Sequence, residues 1–373
     1  MGNRYVFNAK NFESIKIPKI EEKRGKNWID FGSNNLYPQL LLELYNNSAM
    51  HHTAIEAITD GVIGKGIKTW GDTPVNKYDE TLNDILEKIV IDYEIFGGYS
   101  LNVIWSRDGE NIAEIYHLPF QNVRSGLLDE NEQVKEYWYS HDWAKHRKYK
   151  PKSYAPYSNT DNEGDNASQI FYYFDYSAGQ FYYPLPHYVG AINDIDTDSR
   201  ISRFHANNLK NGLNPSMMLT FKNGIPTPDE KREIWKDIDD TFGSEENAGK
   251  FFVTFAEPGR EPSLEPVESA NDDYYITLEK RVTSRILTAH RITSPLLLGI
   301  RDSNGFSSNA DEIKTAYSHF MSTVILPDQK KIVKSLNRIF NKTGKTAKLE
   351  IEQSNILYDF GGKTEKEEQE NVE

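Results

Sequence analysis

Two long, mostly polar helical segments, separated by a short strand–helix–strand pattern, constrain the fold of this chain most. The first, HYVGAINDIDTDSRISRFHANNLKNG, has few apolar anchors, namely Ile192, Ile195 and Phe204. In the second, the apolar residues recur at helical spacing along one face: Tyr275, Leu278, Val282, Ile286, Ala289 and Ile292. Two such helices, joined only through a small unit, cannot cover all of their faces within one copy. The pattern therefore predicts that neighbouring subunits cover them, in a ring or a bundle.

The segment between the two helices has strong local signals. SMMLTFKNG and KFFVTFAEP are typical of strands, and TPDEKREIWKDIDDTFGS is typical of a helix. Thr227 is placed to cap this helix, Pro228 lies in its first turn, Glu230 completes a capping box and Gly243 ends it. The sequence thus predicts a small β-α-β unit between the long helices.

The part of the chain that precedes the long helices has an α+β pattern. Two short helices are predicted after residue 34, and a third helix runs up to Gly97, followed by a hairpin with its turn at Asp108 and Gly109. Further strands are predicted in VKEYWYSHDW, SQIFYYFDY and GQFYYPL, whereas the polar, proline-bearing segment 145–168 is predicted to be a loop.

The part that follows the long helices begins with an apolar run and the small polar loop RDSNGFSSN. A long amphipathic helix comes next, and Pro327 should kink it, because proline lacks the N–H and crowds the preceding turn. The tail GGKTEKEEQENVE is charged.

Composition excludes several classes of protein. The 373 residues carry a net charge of −13, which argues against a nucleic-acid binder that uses a general basic surface. The chain has no cysteine, so neither disulfides nor zinc–thiolate sites form, and a reducing compartment is the simplest expectation. The N-terminal residues lack the apolar run of a signal peptide, and no apolar run long enough to span a membrane occurs, so no membrane partner is expected.

No catalytic, cofactor or metal site is predicted. Neither IFNKTGKT nor LYDFGGKT has the first glycine of a phosphate-binding loop. His52 and Glu56 lie one helical turn apart without a third ligand, and His141 and Asp142 would point to opposite sides of a strand. Three acidic pairs could be two-metal nuclease ligands, but carboxylates at helix ends more often cap the helix: Asp239 and Asp240, Glu245 and Glu246, and Asp272 and Asp273. The basic, aromatic stretch WAKHRKYKPKSY is interpreted as a solvated loop that touches a partner, with phosphate binding as the alternative.

The ordered set of segments from about residue 34 to 341 resembles the small, HK97-like portal proteins of tailed bacteriophages. The features that carry the resemblance are the helix–clip–helix series, the sequence NAGK at 247–250, and a motif I-x-x-P-x-L-L-G from Ile292 to Gly299. A loop and a long proline-containing helix that ends in SLNRIF follow, as in that family. The aromatic region 137–187 has no clear counterpart, and the C-terminal crown is very short.

The resemblance implies an α+β, ring-forming portal fold with the following division. An N-terminal arm and α/β wing would occupy 1–187, a first stem helix 188–213, a clip 214–268 and a second stem helix 269–293. A tunnel-loop region would occupy 294–309, a kinked wing helix 310–341 and a short crown and tail 342–373.

The resemblance also implies a function, that of the head–tail connector ring at one capsid vertex of a virion, made in the host cytoplasm. The ring would be a dodecamer through which double-stranded DNA is packaged and ejected. Its implied partners are the large terminase, which supplies ATP hydrolysis, then a head–tail adaptor, and the major capsid protein. The alternatives that stay open are a different virion ring such as a tail adaptor, and a Mg²⁺-dependent nucleic-acid-processing enzyme.

Three sets of site residues follow from the resemblance. The tunnel loop would face the DNA with Arg301, Asn304, Gly305, Phe306, Ser307 and Ser308. Stem charges at Lys280, Arg281 and Arg285 would face the channel or pair with acidic residues of a neighbouring subunit such as Asp194, Asp196 and Asp198. Terminase and adaptor would dock on the clip at Lys231, Trp235, Asp239 and Glu245. The loop carries no Lys or Arg between residues 302 and 309, which suits a channel that must let DNA slide over weak contacts.

Overall fold

The computed structural model describes residues 18, 25–158, 167–210, 217–221, 226–242, 251–255, 263–266, 272–300, 310–343 and 348–353. The chain forms two compact units. The first unit combines Met1–Ile195 with Arg285–Glu373, and the second consists of Asp196–Ser284. The second unit is therefore an insertion into the first.

Three helices open the first unit, and their ends follow from local sequence. They are α1 (Tyr37–Asn47), α2 (Ala49–Ile63) and α3 (Leu82–Phe96). The hydroxyl of Thr81 accepts a hydrogen bond from the N–H of Asp84, whose carboxylate accepts one from the N–H of Thr81, so α3 begins with a capping box. It ends at Gly97, where a φ of 80° favours glycine.

A six-stranded sheet follows α3, in the order β2-β1-β6-β5-β4-β3. Its strands are β1 (Gly98–Trp105), β2 (Ile112–Leu118), β3 (Val123–Ser125), β4 (Tyr137–Tyr139), β5 (Lys152–Pro156) and β6 (Ser168–Phe174). The central strand β1 pairs antiparallel with both neighbours, for example Leu101 with His117 and with Phe171. The predicted hairpin of β1 and β2 is confirmed, with its turn at Gly109, whose φ is 64°.

Residues from both segments of the first unit build one apolar core. Ile85, Ile89 and Tyr99, from α3 and β1, are fully or almost fully buried together with Ile332 and Phe340 from near the C-terminus. Burial of this kind contributes about 1.5–3 kcal/mol for each large apolar side chain. The segment that contains Ile332 and Phe340 is therefore an integral part of this core.

The helix after residue 310 is interrupted before Pro327. It consists of α7 (Ala310–Phe320), a π-helical turn at Met321–Ile325, and α8 (Leu326–Phe340) with Pro327 in its first turn. Proline offers no N–H to the carbonyl four residues earlier, and a wider turn accommodates that loss. The kink at Pro327 stays a prediction, and what the structure shows just before this residue is the π-helical turn.

The second unit contains a three-stranded sheet in the order β8-β7-β9. Its strands are β7 (Met217–Phe221), β8 (Phe251–Phe255) and β9 (Ser263–Pro266), and α5 (Pro228–Phe242) lies between β7 and β8 in the chain. Strands β7 and β8 are parallel, which requires a crossover, and α5 lies in it. The predicted β-α-β arrangement is confirmed, and β9 adds an antiparallel strand. Two long helices lead into and out of this unit: α4 (Ile192–Lys210) and α6 (Asp272–Ala289).

Two local predictions are wrong. Residues 179–185 do not form a strand, because Gly179 adopts a φ of 77° and Pro184 has no N–H for a sheet ladder. The segment 145–168 is not only loop, since it contains β5, which pairs parallel with β6 and antiparallel with β4. Strand pairing depends more on neighbours than on intrinsic preference, so a short polar strand is easily missed.

Candidate functional site

The motif from Ile292 to Gly299 fixes the point from which the predicted tunnel loop leaves the first unit. Ile292 is buried, and the side chain of Ser294 accepts a hydrogen bond from the N–H of Leu296 at the start of a 3₁₀ turn, Pro295–Leu298. Leu297 packs against the core, and Gly299 ends the turn with a φ of 73°. The apolar run of the motif thus anchors the chain immediately before residue 301.

The predicted tunnel loop itself, residues 301–309, lies outside the described residues. Arg301, Asn304, Gly305, Phe306, Ser307 and Ser308 therefore keep the roles given to them as predictions. The chain re-enters the described structure at Ala310, where α7 begins, and Phe320 at the end of α7 is buried in the core of the first unit. Both flanks of the loop are therefore attached to one compact unit.

The three stem charges on α6 are exposed, and one of them has a partner within the same chain. Nη1 of Arg285 donates to Oδ1 of Asp194, at the start of α4, over 3.3 Å. Lys280 and Arg281 lie on the exposed side of α6. An exposed ion pair contributes at most about 1 kcal/mol, so the Arg285–Asp194 pair orients the two helix ends rather than holding them together.

The other acidic residues considered for pairing between subunits lie on α4. Asp196 accepts from Nε of Arg200 one helical turn later, over 2.7 Å. Asp198 also takes part in a hydrogen bond, an ion pair or another electrostatic interaction. The structure therefore shows that Asp194 and Asp196 have partners inside the chain, which the sequence did not indicate.

The predicted docking residues of the clip are placed only in part. Lys231 is half-buried on α5 and takes part in a hydrogen bond, an ion pair or another electrostatic interaction. Trp235 and Asp239 lie on the same helix, with side chains outside the described part, and Glu245 lies outside the described residues. The start of α5 is well defined, because Glu230 accepts hydrogen bonds from the N–H and the hydroxyl of Thr227, and these bonds lower the pKa of Glu230. The capping box predicted there is confirmed.

Four of the residues weighed as metal ligands have other partners. Nδ1 of His52 lies 3.2 Å from the carbonyl oxygen of Tyr45, and Glu56 accepts a hydrogen bond from the Tyr45 hydroxyl. Asp142 accepts from two backbone N–H groups of its own turn, and His141 packs edge-on against Tyr149. Within the described residues, no group of three or more His, Asp or Glu side chains is arranged to hold a metal ion.

The basic stretch, residues 143–154, forms the surface loop after β4 and continues into β5, which begins at Lys152. Trp143 is buried, donates to the carbonyl oxygen of Asn122 and has the guanidinium of Arg124 over its ring at 4.9 Å. Lys145, Arg147, Lys148 and Lys150 are exposed. No helix among the described residues is long and apolar enough to span a membrane.

One group of polar residues in the first unit was not found by reasoning from the sequence. His51, His187 and His290 lie next to one another, with Glu94 beside His187. These residues come from four distant places in the chain, so no spacing motif could have indicated them. Only the unusual burial of His51, His290 and Glu94 distinguishes them, and burial is a property of the fold.

Several solved structures share the fold of this chain. A chain from the neck of an empty gene transfer agent particle is 13% identical with a TM-score of 0.55, and 86% of this chain and 85% of that chain are covered. A chain from the virion of a native gene transfer agent particle has a TM-score of 0.56 at 13% identity, with 86% and 84% covered. An HK97-family phage portal protein from Corynebacterium diphtheriae has a TM-score of 0.51 at 12% identity, with 86% and 98% covered.

The family is shown by the sequence. The model of the family described as "Phage portal protein" matches residues 75–359, and this chain belongs to that family. A comparison with curated proteins gives no significant match. The resemblance to HK97-like portal proteins and the α+β portal fold are confirmed, and so is the function of a virion portal.

Proposed function

We propose that copies of this chain assemble into the closed portal ring of a virion and that double-stranded DNA passes through its channel during packaging and ejection. The observation that carries this proposal is the family match over residues 75–359, which includes both long helices and the inserted unit between them. The family match also favours a portal over the tail adaptor that the sequence had left open. It describes a structural virion protein, so no catalysis is proposed.

The ring is proposed to contain twelve subunits. Two of the similar structures come from particle necks computed with C6 and with C12 symmetry. A closed cyclic ring uses two different faces of each subunit, so one face of a copy must fit the other face of the next. The exposed apolar residues Ile276, Phe204 and Leu326 are available for such contacts.

The predicted tunnel loop is proposed to contact the DNA weakly. Its flanks are anchored at Leu297 and Phe320, so the loop is presented by a firm base. Each cation added to the loop would occur once per subunit, and a ring of such cations would bind phosphates strongly and release many counterions. Phe306, Asn304 and Ser307 offer only replaceable contacts, and Arg301 would hold the loop to the stem.

The inserted unit is proposed to be the docking surface for the large terminase and later for a head–tail adaptor. Its helix α5 carries the exposed charges Asp229, Arg232 and Glu233 and the predicted docking residues Lys231 and Trp235. The major capsid protein is the further proposed partner, through the first unit.

The experiment that tests the ring is native mass spectrometry of the purified full chain, with negative-stain imaging. We expect closed rings of about twelve copies with an axial hole. A chain that stays monomeric over a range of salt and protein concentrations, and also when co-expressed with its capsid protein, would refute the proposal. Mg²⁺-dependent cleavage of DNA by such a monomer would favour the enzyme alternative.

Replacement of Phe306 by Lys tests the weak-contact hypothesis. Because the ring would carry one added cation per subunit, we expect DNA to move more slowly and at least about tenfold fewer filled particles to form. The measurement is complementation of a phage that lacks its portal gene, with filled heads counted after DNase treatment. Phe306→Leu and Asn131→Lys, which adds the same charge on an exposed turn, are the controls. Normal filling by Phe306→Lys would remove the hypothesis.

A further inference from the structure

Three histidines form an unbroken chain of imidazole rings in the first unit. Nδ1 of His51 lies 2.9 Å from Nε2 of His290, and Nδ1 of His290 lies 3.0 Å from Nε2 of His187. Both separations are hydrogen-bond distances, so each of these two contacts contains a proton between two nitrogens. The other ring nitrogen of His187, Nδ1, lies 3.8 Å from Oε2 of Glu94.

The four side chains differ in their access to solvent. His51, His290 and Glu94 are 0%, 1% and 1% exposed, whereas the side chain of His187 is 30% exposed. His187 and His290 line a cavity of about 370 Å³. Protons can therefore enter at His187, and the chain of rings leads inwards from there.

The cluster lies where the chain enters the first long helix and leaves the second. His187 stands five residues before Ile192, the first residue of α4, and His290 directly follows Ala289, the last residue of α6. His51 belongs to the first turn of α2, and Glu94 to the last turn of α3. The hydrogen bonds thus link both of these chain segments to α2, and Glu94 of α3 lies beside them.

The charges that face the cluster come from every element packed around it. Glu94 faces Asp328, Lys331 and Asp175. His187 faces Arg291 and Lys331, and His51 faces His52. Tyr188 packs against all three imidazole rings, and its hydroxyl donates to the carbonyl oxygen of Ile95. Lys331 is in turn held by Asp175 and Asp328, over 2.7 and 3.0 Å, so the surrounding charges are largely balanced.

We propose that in the closed structure the three histidines are neutral and Glu94 is protonated, so that the cluster holds one proton beyond the ring protons of neutral imidazole, and that this cluster fastens the segments at His187 and His290 best near neutral pH. A change of pH in either direction then opens the cluster. The inference concerns one chain and does not depend on the ring.

The histidines cause the loss of stability of the closed state at acidic pH. Burial lowers the pKa of His51 to about 3 and that of His290 well below its usual range, and partial burial and the charges of Arg291 and Lys331 lower the pKa of His187. Once the cluster opens, the rings regain ordinary pKa values of about 6.5 and bind protons. The open state therefore gains protons as the pH falls below about 6.5, and the closed state loses stability there.

Glu94 causes the loss of stability of the closed state at alkaline pH. Burial, together with Asp328, raises the pKa of Glu94 well above its usual range, so the closed structure retains a proton that the open structure releases above about pH 4.5. Each pH unit of rise then favours opening by up to about tenfold. Below the optimal pH the open state binds more protons than the closed state, and above it the open state binds fewer. The closed state is therefore most stable where the two states bind equal numbers of protons, at about pH 6.5–7.

The test is hydrogen–deuterium exchange of the full chain, with protection factors for residues 187–200 and 286–293 corrected for intrinsic exchange rates. We expect protection to be greatest near pH 6.8 and to fall about fivefold or more at both pH 5.3 and pH 8.3. Protection that is the same at all three pH values would overturn the proposal.

Two variants test which residues cause the acidic and the alkaline loss of protection. Glu94→Gln, which is nearly isosteric, should keep the acidic loss of protection and abolish the alkaline loss. His290→Gln, which keeps a donor and an acceptor without a titrating ring, should weaken the acidic loss by up to about tenfold. His141→Gln, at an exposed position after β4, should leave both the acidic and the alkaline loss of protection unchanged. If Glu94→Gln still loses protection at pH 8.3, or if His141→Gln behaves like His290→Gln, the cluster is not the cause.

Discussion

At the scale of single residues, Arg124 shows how the first unit accommodates a fully buried cation. Its guanidinium donates to the carbonyl oxygens of Asn35, Gln121 and Val123 at 2.8–2.9 Å and lies over the ring of Trp143. Burial lowers its pKa to about 10, so the side chain stays charged at neutral pH. No ion pair is needed, because carbonyl dipoles and the ring face satisfy the charge.

Replacement of Arg124 by Met should therefore destabilise the first unit strongly. The change leaves several buried carbonyl oxygens without donors and removes the contact with Trp143, at a cost of about 3 kcal/mol in the free energy of unfolding. Arg107→Met, at an exposed position, is the matched control and should cost less than about 0.5 kcal/mol. Urea denaturation measures both. Equal stabilities of the two variants would contradict this account of Arg124.

At the scale of secondary-structure elements, local signals predicted the helix ends well. Thr227 and Glu230 form the expected capping box, and Gly97 ends α3 as its position suggested. Strands were predicted less well, because β5 is short and polar and is held by its pairing with β4 and β6 rather than by its own sequence preference. The histidine cluster could not be predicted at all, since His51 and His290 are 239 residues apart.

The π-helical turn before α8 packs against α2 at a glycine. A Cβ atom on Gly61 would lie 2.7 Å from Cδ1 of the buried Ile325. Gly61→Ala should gain about 1 kcal/mol from helix propensity and lose about 1–3 kcal/mol from overpacking. In an Ile325→Val background, which lacks Cδ1, the same change should become neutral or stabilising.

A double-mutant cycle in thermal unfolding measures this coupling between Gly61 and Ile325. Ala54, which is also buried on α2, gives a matched comparison when Ala54→Gly is combined with Ile325→Val. Additive effects of Gly61→Ala and Ile325→Val would mean that the glycine is not required by the π-helical turn.

At the scale of the whole molecule, the net charge of −13 acts against assembly of a proposed ring of like subunits. Raising the salt concentration from about 0.1 M to about 1 M shortens the screening length from about 10 Å to about 3 Å. We therefore expect the fraction of chains in rings to rise with salt. Sedimentation velocity at fixed protein concentration measures this fraction. Dissociation of rings by salt would instead show that attractive ion pairs between subunits dominate.

Much of the architecture of the molecule could be predicted from the sequence. The order of helices, clip and loop, together with the motif from Ile292 to Gly299, was enough to indicate the portal family, which the family match confirms. Which side chains of the stem and the clip act in the channel or in docking depends on helix rotation and on contacts between subunits. Neither is encoded in the spacing of residues along one chain.

The insertion of one unit into the other has a consequence for synthesis on the ribosome. Ile332, Leu336 and Phe340 complete the core around α3 and β1, yet they are translated more than 200 residues after Tyr99. At about 5–20 residues per second, the apolar side chains of α3 and β1 stay uncovered by these residues for at least about ten seconds. The nascent chain is therefore a natural client for chaperones, and a premature stop before α8 would yield an aggregation-prone fragment rather than a smaller portal subunit.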